Sequence, residues 1–236
     1  MRGLFVTGTD TGVGKTALAA SVVAALRAEG RPVRALKPLL TGLDEAPDPD
    51  WPHDHELLAR AVGSAADEVV LRSFDPPVSP HLAAELAGTR IDLDALVGEV
   101  VAAGAADDAT HVEPILVVEG VGGLLVPLGD GWDVRRLAAA VGLPVLIAAR
   151  PGLGTINHTL LTLEAARAGG LRIAGVVLTP WPERPDQVAC SNLETIAELG
   201  EVDVATLSRV AGDPLALAIA GATLPLERWL SDRDGS

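Results

Sequence analysis

The run Gly8-Thr9-Asp10-Thr11-Gly12-Val13-Gly14-Lys15-Thr16 constrains this chain more than any other feature. It follows the short apolar stretch Gly3 to Thr7 and leads into Thr16 to Glu29, an Ala/Leu/Val run long enough for a helix and closed by Gly30. A strand, a Gly-rich turn and a helix in that order build a cradle for an anion. Glycines let successive backbone N–H groups curl around phosphate oxygens, and the helix N-terminus adds its positive dipole. Lys15 then reaches the β- and γ-phosphates, and the Thr16 hydroxyl is the natural ligand for Mg²⁺. The spacing is a variant, because the usual four-residue gap would want glycine at Thr9 and here it stands one place earlier, at Gly8.

Beyond this loop, apolar β-branched runs at Val33 to Leu36, Ile115 to Val118, Val145 to Ala148 and Ile173 to Leu178 read as strands. Helical stretches are expected at Leu57 to Val62, Leu93 to Ala103, Val134 to Val141 and Asn157 to Ala168. Strands so continuously apolar are buried on both faces. Their alternation with helices predicts an α/β fold, a mainly parallel β-sheet flanked by helices on both faces and joined by right-handed crossovers. Asp44 to Pro52 and Trp181 to Pro185 are Pro-rich and read as loops, too short to link domains. One domain over 1–236 is expected, with 230–236 as a flexible tail.

Composition decides which anions such a site serves. With 18 basic against 32 acidic residues the net charge is −14, so the chain lacks the basic surface that a nucleic-acid or anionic-membrane binder needs. Charge-free runs such as Leu137 to Ala149 are too short for the roughly 20 apolar residues that span a bilayer. The start of the chain does not read as a signal peptide, and Cys190, the one cysteine, suits a reducing cytoplasm. The only lysines are Lys15 and Lys37. An ammonium is a compact point charge where a guanidinium is a planar fork, so a site shaped for one rejects the other.

Lys37-Pro38-Leu39-Leu40-Thr41-Gly42 closes the second strand, and a lysine there sits beside the phosphate loop, over the γ-phosphate or a second anion. Mg²⁺ held with a triphosphate wants a hydroxyl and one or two carboxylates. Glu119, ending the strand Ile115 to Val118 before Gly120-Val121-Gly122-Gly123, is one candidate. Asp54 is the other, with a helix N-cap as its alternative role. The flanking His53 and His55 find no third ligand at motif spacing and are expected as exposed loop residues. Together these residues describe an enzyme that handles two anions at once.

Taken in order, Gly-Thr-Asp-Thr-x-Val-Gly-Lys-Thr at 8 to 16, Lys-Pro-x-x-Thr-Gly at 37 to 42, the Asp at 54, Val-Glu-Gly-x-Gly-Gly at 118 to 123 and Gly-x-x-Asn-His-x-x-Leu-Thr at 154 to 162 resemble the dethiobiotin synthetase family of biotin biosynthesis. The resemblance implies the P-loop NTPase fold, a homodimer and an ATP-dependent ring closure. In that reaction 7,8-diaminopelargonic acid and CO₂ form a carbamate, ATP phosphorylates it, and the second amine closes the ureido ring. By the same resemblance Gly12, Val13, Gly14, Lys15, Thr16 and Ala17 would bind the nucleotide, and Thr16, Asp54 and Glu119 would hold Mg²⁺. Lys15, Lys37 and Thr11 would serve catalysis. Thr11, Lys37, Thr41 and Gly122 would meet the diamine or carbamate. Its distant carboxylate would rest on the helix start Gly154-Thr155-Ile156-Asn157 of the other subunit, a site made by backbone N–H groups and the helix dipole, with Thr155 doubling as a cap.

The match departs at Thr179-Pro180-Trp181, where relatives that select adenine carry an Asn-Asp pair. Thr179 and Pro180 would then adjoin the base, and other nucleoside triphosphates, CTP included, are expected to serve alongside ATP. The rival reading is a nucleotide-switch ATPase of the partitioning or cell-division-site (ParA/MinD) type. It wants an extra lysine early in the loop, where this chain has Thr9, Asp10 and Thr11, and a basic or amphipathic surface for DNA or membrane. A cobyrinate-amidating ligase would want a Cys-based glutaminase segment.

Overall fold

The computed structural model describes residues 1–46, 51–105 and 111–231. The chain opens with β1 (Gly3–Gly8), α1 (Lys15–Ala28), β2 (Val33–Thr41), α2 (Asp54–Val62), β3 (Val70–Phe74), α3 (Pro80–Leu86) and α4 (Leu93–Ala103). Its middle holds β4 (Ile115–Glu119), a hairpin of β5 (Pro127–Gly129) and β6 (Trp132–Asp133), then α5 (Val134–Val141), β7 (Val145–Ala149) and α6 (Thr155–Ala168). The last part is β8 (Ile173–Trp181), α7 (Gln187–Gly200), β9 (Val204–Ser208), α8 (Pro214–Gly221) and α9 (Leu226–Leu230).

Seven strands form one sheet in the order β3-β2-β4-β1-β7-β8-β9, and every pairing in it is parallel. The sheet is an α/β core of the expected kind, covered by helices on both faces. β1, β4 and β7 occupy its centre with every residue buried, which is why each reads as an unbroken apolar run. Side chains alternate across the pleat: Leu4 and Val6 enter the core under α1, α2 and α8, while Phe5 enters the one under α4, α5 and α6. Each such fully buried side chain contributes about 1.5–3 kcal/mol.

All five expected strands and all five expected helices are present, and β2 runs on past Leu36 through Thr41. Strands β3 and β9 were not foreseen. Both are sheet edges with one neighbour only, so polar residues such as Arg72, Ser73 and Ser208 interrupt their apolar pattern. The segment beyond residue 200 docks on the phosphate-loop helix. α8 crosses α1 so closely that a Cβ at Gly221 would stand 2.0 Å from the Ser21 carbonyl oxygen. Leu230, placed by expectation in a flexible tail, is instead the buried last residue of α9, while 232–236, like 47–50 of the Pro/Asp-rich loop, lie outside the described residues. No helix among the described residues is long and apolar enough to cross a membrane.

From β1 the chain first builds outward to β2 and β3, returns to β4, and then builds the other way through β7, β8 and β9. Such a reversal opens a crevice beyond the strand C-termini, where open α/β sheets bind their ligands.

Candidate active site

The loop between β1 and α1 is anchored on both sides. The Thr9 N–H donates to the Ala148 carbonyl at 3.0 Å, and Asp10 Oδ1 accepts from the Thr11 N–H at 2.7 Å. Three successive carbonyls are held by cations: Lys15 Nζ donates to Asp10 O at 2.9 Å, and Arg150 Nη2 donates to Thr11 O at 3.3 Å and Gly12 O at 3.4 Å. Turning carbonyls toward side chains leaves the N–H groups to face the anion. α1 starts at Gly14 with no side-chain cap, so its first-turn N–H groups are open to a ligand. Gly14 has φ 95°, and a Cβ there would lie 2.8 Å from Thr179 Cγ2, so both backbone conformation and space require glycine. Val13 turns its side chain into the core and offers the site backbone only.

Beside the loop lies a buried charge cluster. β2 and β4 pair with Leu36 opposite Val118, which brings the next residues, Lys37 and Glu119, side by side at the strand ends. Lys37 Nζ donates to Glu119 Oε1 at 2.7 Å and to Asp54 Oδ2 at 2.6 Å. Thr16 Oγ1 donates to the same Glu119 oxygen at 2.8 Å. Burial alone would depress the Lys37 pKa, but the Glu119 and Asp54 carboxylates outweigh it and raise it above the usual lysine value. Burial likewise pushes the Glu119 carboxyl up, against the pull of Lys37. For Asp54 burial also pushes upward, but Lys37 prevails and holds its carboxyl below the ordinary range. Lys15 is lowered, chiefly by burial.

Two expectations are corrected here. The cap of α2 is His53; Asp54 is the first helical residue, and its carboxylate goes to Lys37 rather than to the helix end. His53 and His55 are half-buried at the start of α2 with ring centroids 5.8 Å apart, not exposed loop residues, and no cluster of three or more His, Cys, Asp or Glu suited to a metal occurs among the described residues. A hard cation that keeps several waters needs fewer protein ligands. Glu119 Oε2 is buried without a hydrogen-bond partner among the described residues, and with the Thr16 hydroxyl and the Asp54 carboxylate it makes an all-oxygen donor set that fits Mg²⁺.

The cluster forms the floor of a cavity of about 590 Å³ lined by Thr11, Gly12, Gly14, Lys15, Thr16, Ala17, Lys37, Thr41, Asp54 and Gly122. The rest of the lining is Leu40, Trp51, Pro77, Val78, Ser79, Pro80, Val121 and Val126, residues that the sequence did not assign to a site. The one signal for them was Pro76-Pro77-Val78-Ser79-Pro80, a rigid turn at the end of an edge strand. The cavity is therefore lined by charged groups, Lys15, Lys37 and Asp54, together with apolar side chains.

A family model described as an AAA domain matches residues 2–210. The ATP-dependent dethiobiotin synthetase of Anaeromyxobacter dehalogenans (strain 2CP-C) is 42% identical over 231 residues, covering 93% of this chain and 99% of its own length. Those of Mycobacterium avium (strain 104) and Bacillus subtilis (strain 168) are 40% and 36% identical, covering 93% and 86% of this chain and 94% and 85% of their own. The chain belongs to the dethiobiotin synthetase family. Among solved structures, cobyrinic acid a,c-diamide synthase from Mycobacterium smegmatis, with bound ATP analog and magnesium, superposes with TM-score 0.54 at 20% identity, covering 99% of this chain and 97% of that one. Apo McdA from Cyanthece gives 0.52 at 15%, covering 98% and 96%. At such identities these likenesses describe the P-loop fold and nothing finer.

Two groups of residues that the dethiobiotin synthetase resemblance assigns to ligands lie outside this cavity. Thr179 is buried behind Gly14, and Pro180 is exposed at the end of β8. Gly154 to Asn157 form the start of α6 on the surface; Gly154 and Asn157 are exposed, Ile156 is half-buried, and Thr155 is buried. Thr155 is not the cap. Gly154 takes that place with φ 88° and no side-chain bond, while the Thr155 hydroxyl pairs with that of Thr159. Asn192 of α7 is buried and fixes the approach to this helix: its Nδ2 donates to Pro151 O at 2.9 Å and to Gly152 O at 3.1 Å. Nothing in the sequence singled it out.

Proposed function

We propose that this enzyme is an ATP-dependent dethiobiotin synthetase, a cyclo-ligase acting on 7,8-diaminopelargonic acid, CO₂ and a nucleoside triphosphate. An amine of the substrate adds to CO₂ with loss of a proton, and the carbamate oxygen attacks the γ-phosphorus as ADP leaves. The second amine then attacks the carbonyl carbon, phosphate departs, and a cyclic urea remains. The observation that carries this reading is the one cavity lined by both lysines and by apolar side chains. Its charged groups suit a carbamate meeting a triphosphate, and its apolar side chains suit the methylene chain of the substrate.

Phosphoryl transfer is chiefly positioning and charge neutralisation. The N–H groups of the loop and Lys15 hold the triphosphate. Lys37 offers its ammonium to the carbamate and the transferring phosphoryl group, with Thr11, Thr41 and the backbone of Gly122 placing the substrate. Thr16, Asp54 and Glu119 would hold Mg²⁺, which when bound neutralises charge on the phosphate oxygens. The distant carboxylate would rest on the α6 start of a second copy. Leu153, just before that helix start, is 97% exposed, and Leu161 of the same helix and Leu125, which line one surface cleft, are 56% and 55% exposed; these apolar side chains support a homodimer with composite sites. The reducing cytoplasm suits the exposed thiol of Cys190.

The test is incubation with the diamine, bicarbonate, Mg²⁺ and ATP, followed by mass spectrometry. The cyclic urea is expected, and its absence from the complete mixture overturns the proposal. With Thr179-Pro180 in place of an adenine-reading Asn-Asp pair, CTP is expected to compete with ATP in a phosphate-release assay; a strong preference for ATP overturns that part.

A further inference from the structure

We infer that Lys37 has a second role: in the metal-free protein its ammonium occupies the place of the divalent cation, so that metal entry requires Lys37 to leave. The inference deepens the proposed function and rests on its assignment of the metal to Thr16, Asp54 and Glu119. The contacts that carry it are those of the cluster itself. Lys37 Nζ lies 2.6 Å from Asp54 Oδ2 and 2.7 Å from Glu119 Oε1, and the latter oxygen also accepts from Thr16 Oγ1 at 2.8 Å. All three groups proposed to hold the metal are thus joined in one network around an ammonium that is 3% exposed. The other Glu119 oxygen, Oε2, is buried and has no hydrogen-bond partner among the described residues.

Charge balance forces the exchange. The two carboxylates balance the two ammonium groups of Lys15 and Lys37. A divalent cation added beside an unmoved Lys37 leaves the pocket with two uncompensated positive charges where solvent screening is weak. Lys37 must therefore turn from the carboxylates as the metal arrives, and the anion that then receives its ammonium is the triphosphate. The nucleotide-free site therefore binds a free divalent ion weakly and one that comes with phosphate more tightly. The lysine that neutralises the transferring group is thereby kept paired until the nucleotide is in place.

The experiment titrates nucleotide-free protein with Mn²⁺ and follows free Mn²⁺ by electron paramagnetic resonance. Lys37→Gln is expected to bind Mn²⁺ on the order of tenfold more tightly than wild type, although it lacks turnover, while Lys37→Arg, which keeps the charge, gains nothing. Equal or weaker binding by Lys37→Gln overturns the inference. A second arm needs no variant: acylation of Lys37 by acetic anhydride, read by peptide mass spectrometry, is expected to speed up when Mn²⁺ alone is added at saturation, and an unchanged rate counts against the exchange. Adding Glu119→Gln to Lys37→Gln is expected to abolish the gain. If it does not, the metal assignment fails rather than the competition.

Discussion

Replacing Lys37 by Met and Glu119 by Leu, singly and together, separates what the charge cluster does for stability from what it does for catalysis. The paired atoms are 2.7 Å apart, with side chains 3% and 0% exposed. Removing Lys37 alone strands a buried carboxylate, a loss of about 3–5 kcal/mol. For a chain of 236 residues, each kcal/mol moves Tm by about 2–4 °C, so the single variant is expected to melt about 6–20 °C lower. Replacing a buried ion pair by apolar side chains of similar volume is often neutral or stabilising. Asp54 is left without its lysine, but its side chain is 41% exposed and stays solvated. The double variant is therefore expected to melt within about 3 °C of wild type or above it, yet to form no cyclic urea. Thermal unfolding followed by circular dichroism and mass spectrometry of the product read the two quantities, and the four proteins make a double-mutant cycle. A double variant as unstable as the sum of the singles would refute the reasoning, because the pair would then hold the fold together and not merely the chemistry.

The raised pKa of Lys37 fixes the sign of an alkaline effect. Its pairing contributes stability that is fully present below the unfolded lysine value of 10.5 and is lost only as pH rises through the higher folded value. The stability gap between wild type and Lys37→Met, from urea unfolding, is expected to stay flat from about pH 7 to 10 and to shrink above that; a gap that closes by pH 9 contradicts it. Asn192→Asp turns two donors toward Pro151 O and Gly152 O into acceptors and so loosens the approach to α6. The KM for the diamine is expected to rise about tenfold, some 1.4 kcal/mol, with the KM for nucleotide unchanged, and an equal rise in both would count against a local role.

What the sequence revealed and what it concealed divide along a physical line. Central strands such as β1 and β4 are buried on both faces, so their runs were legible, whereas β3 and β9 are edges whose outer sides answer to solvent. Helix α7 left a quieter trace. Asp186 accepts from Ala189 N–H at its start, and the buried residues Ala189, Asn192, Ile196 and Gly200 come at helical spacing, but its many polar residues diluted the pattern. In the site, the loop from Gly8 to Thr16 was readable because one contiguous segment builds it. The cluster was not, because Lys37 lies 17 residues from Asp54 and 82 from Glu119. Each carboxylate was found singly by its place at the end of a strand or the start of a helix, and neither reading paired it with the lysine. That pairing is a consequence of strand order. β4 inserts between β1 and β2, and the register that sets Leu36 against Val118 leaves the next residue of each strand, one cation and one anion, no place but beside the other. Had β1 and β2 been direct neighbours, Glu119 would have faced elsewhere, and Lys37 would have entered the nucleotide site with Asp54 as its only counter-charge.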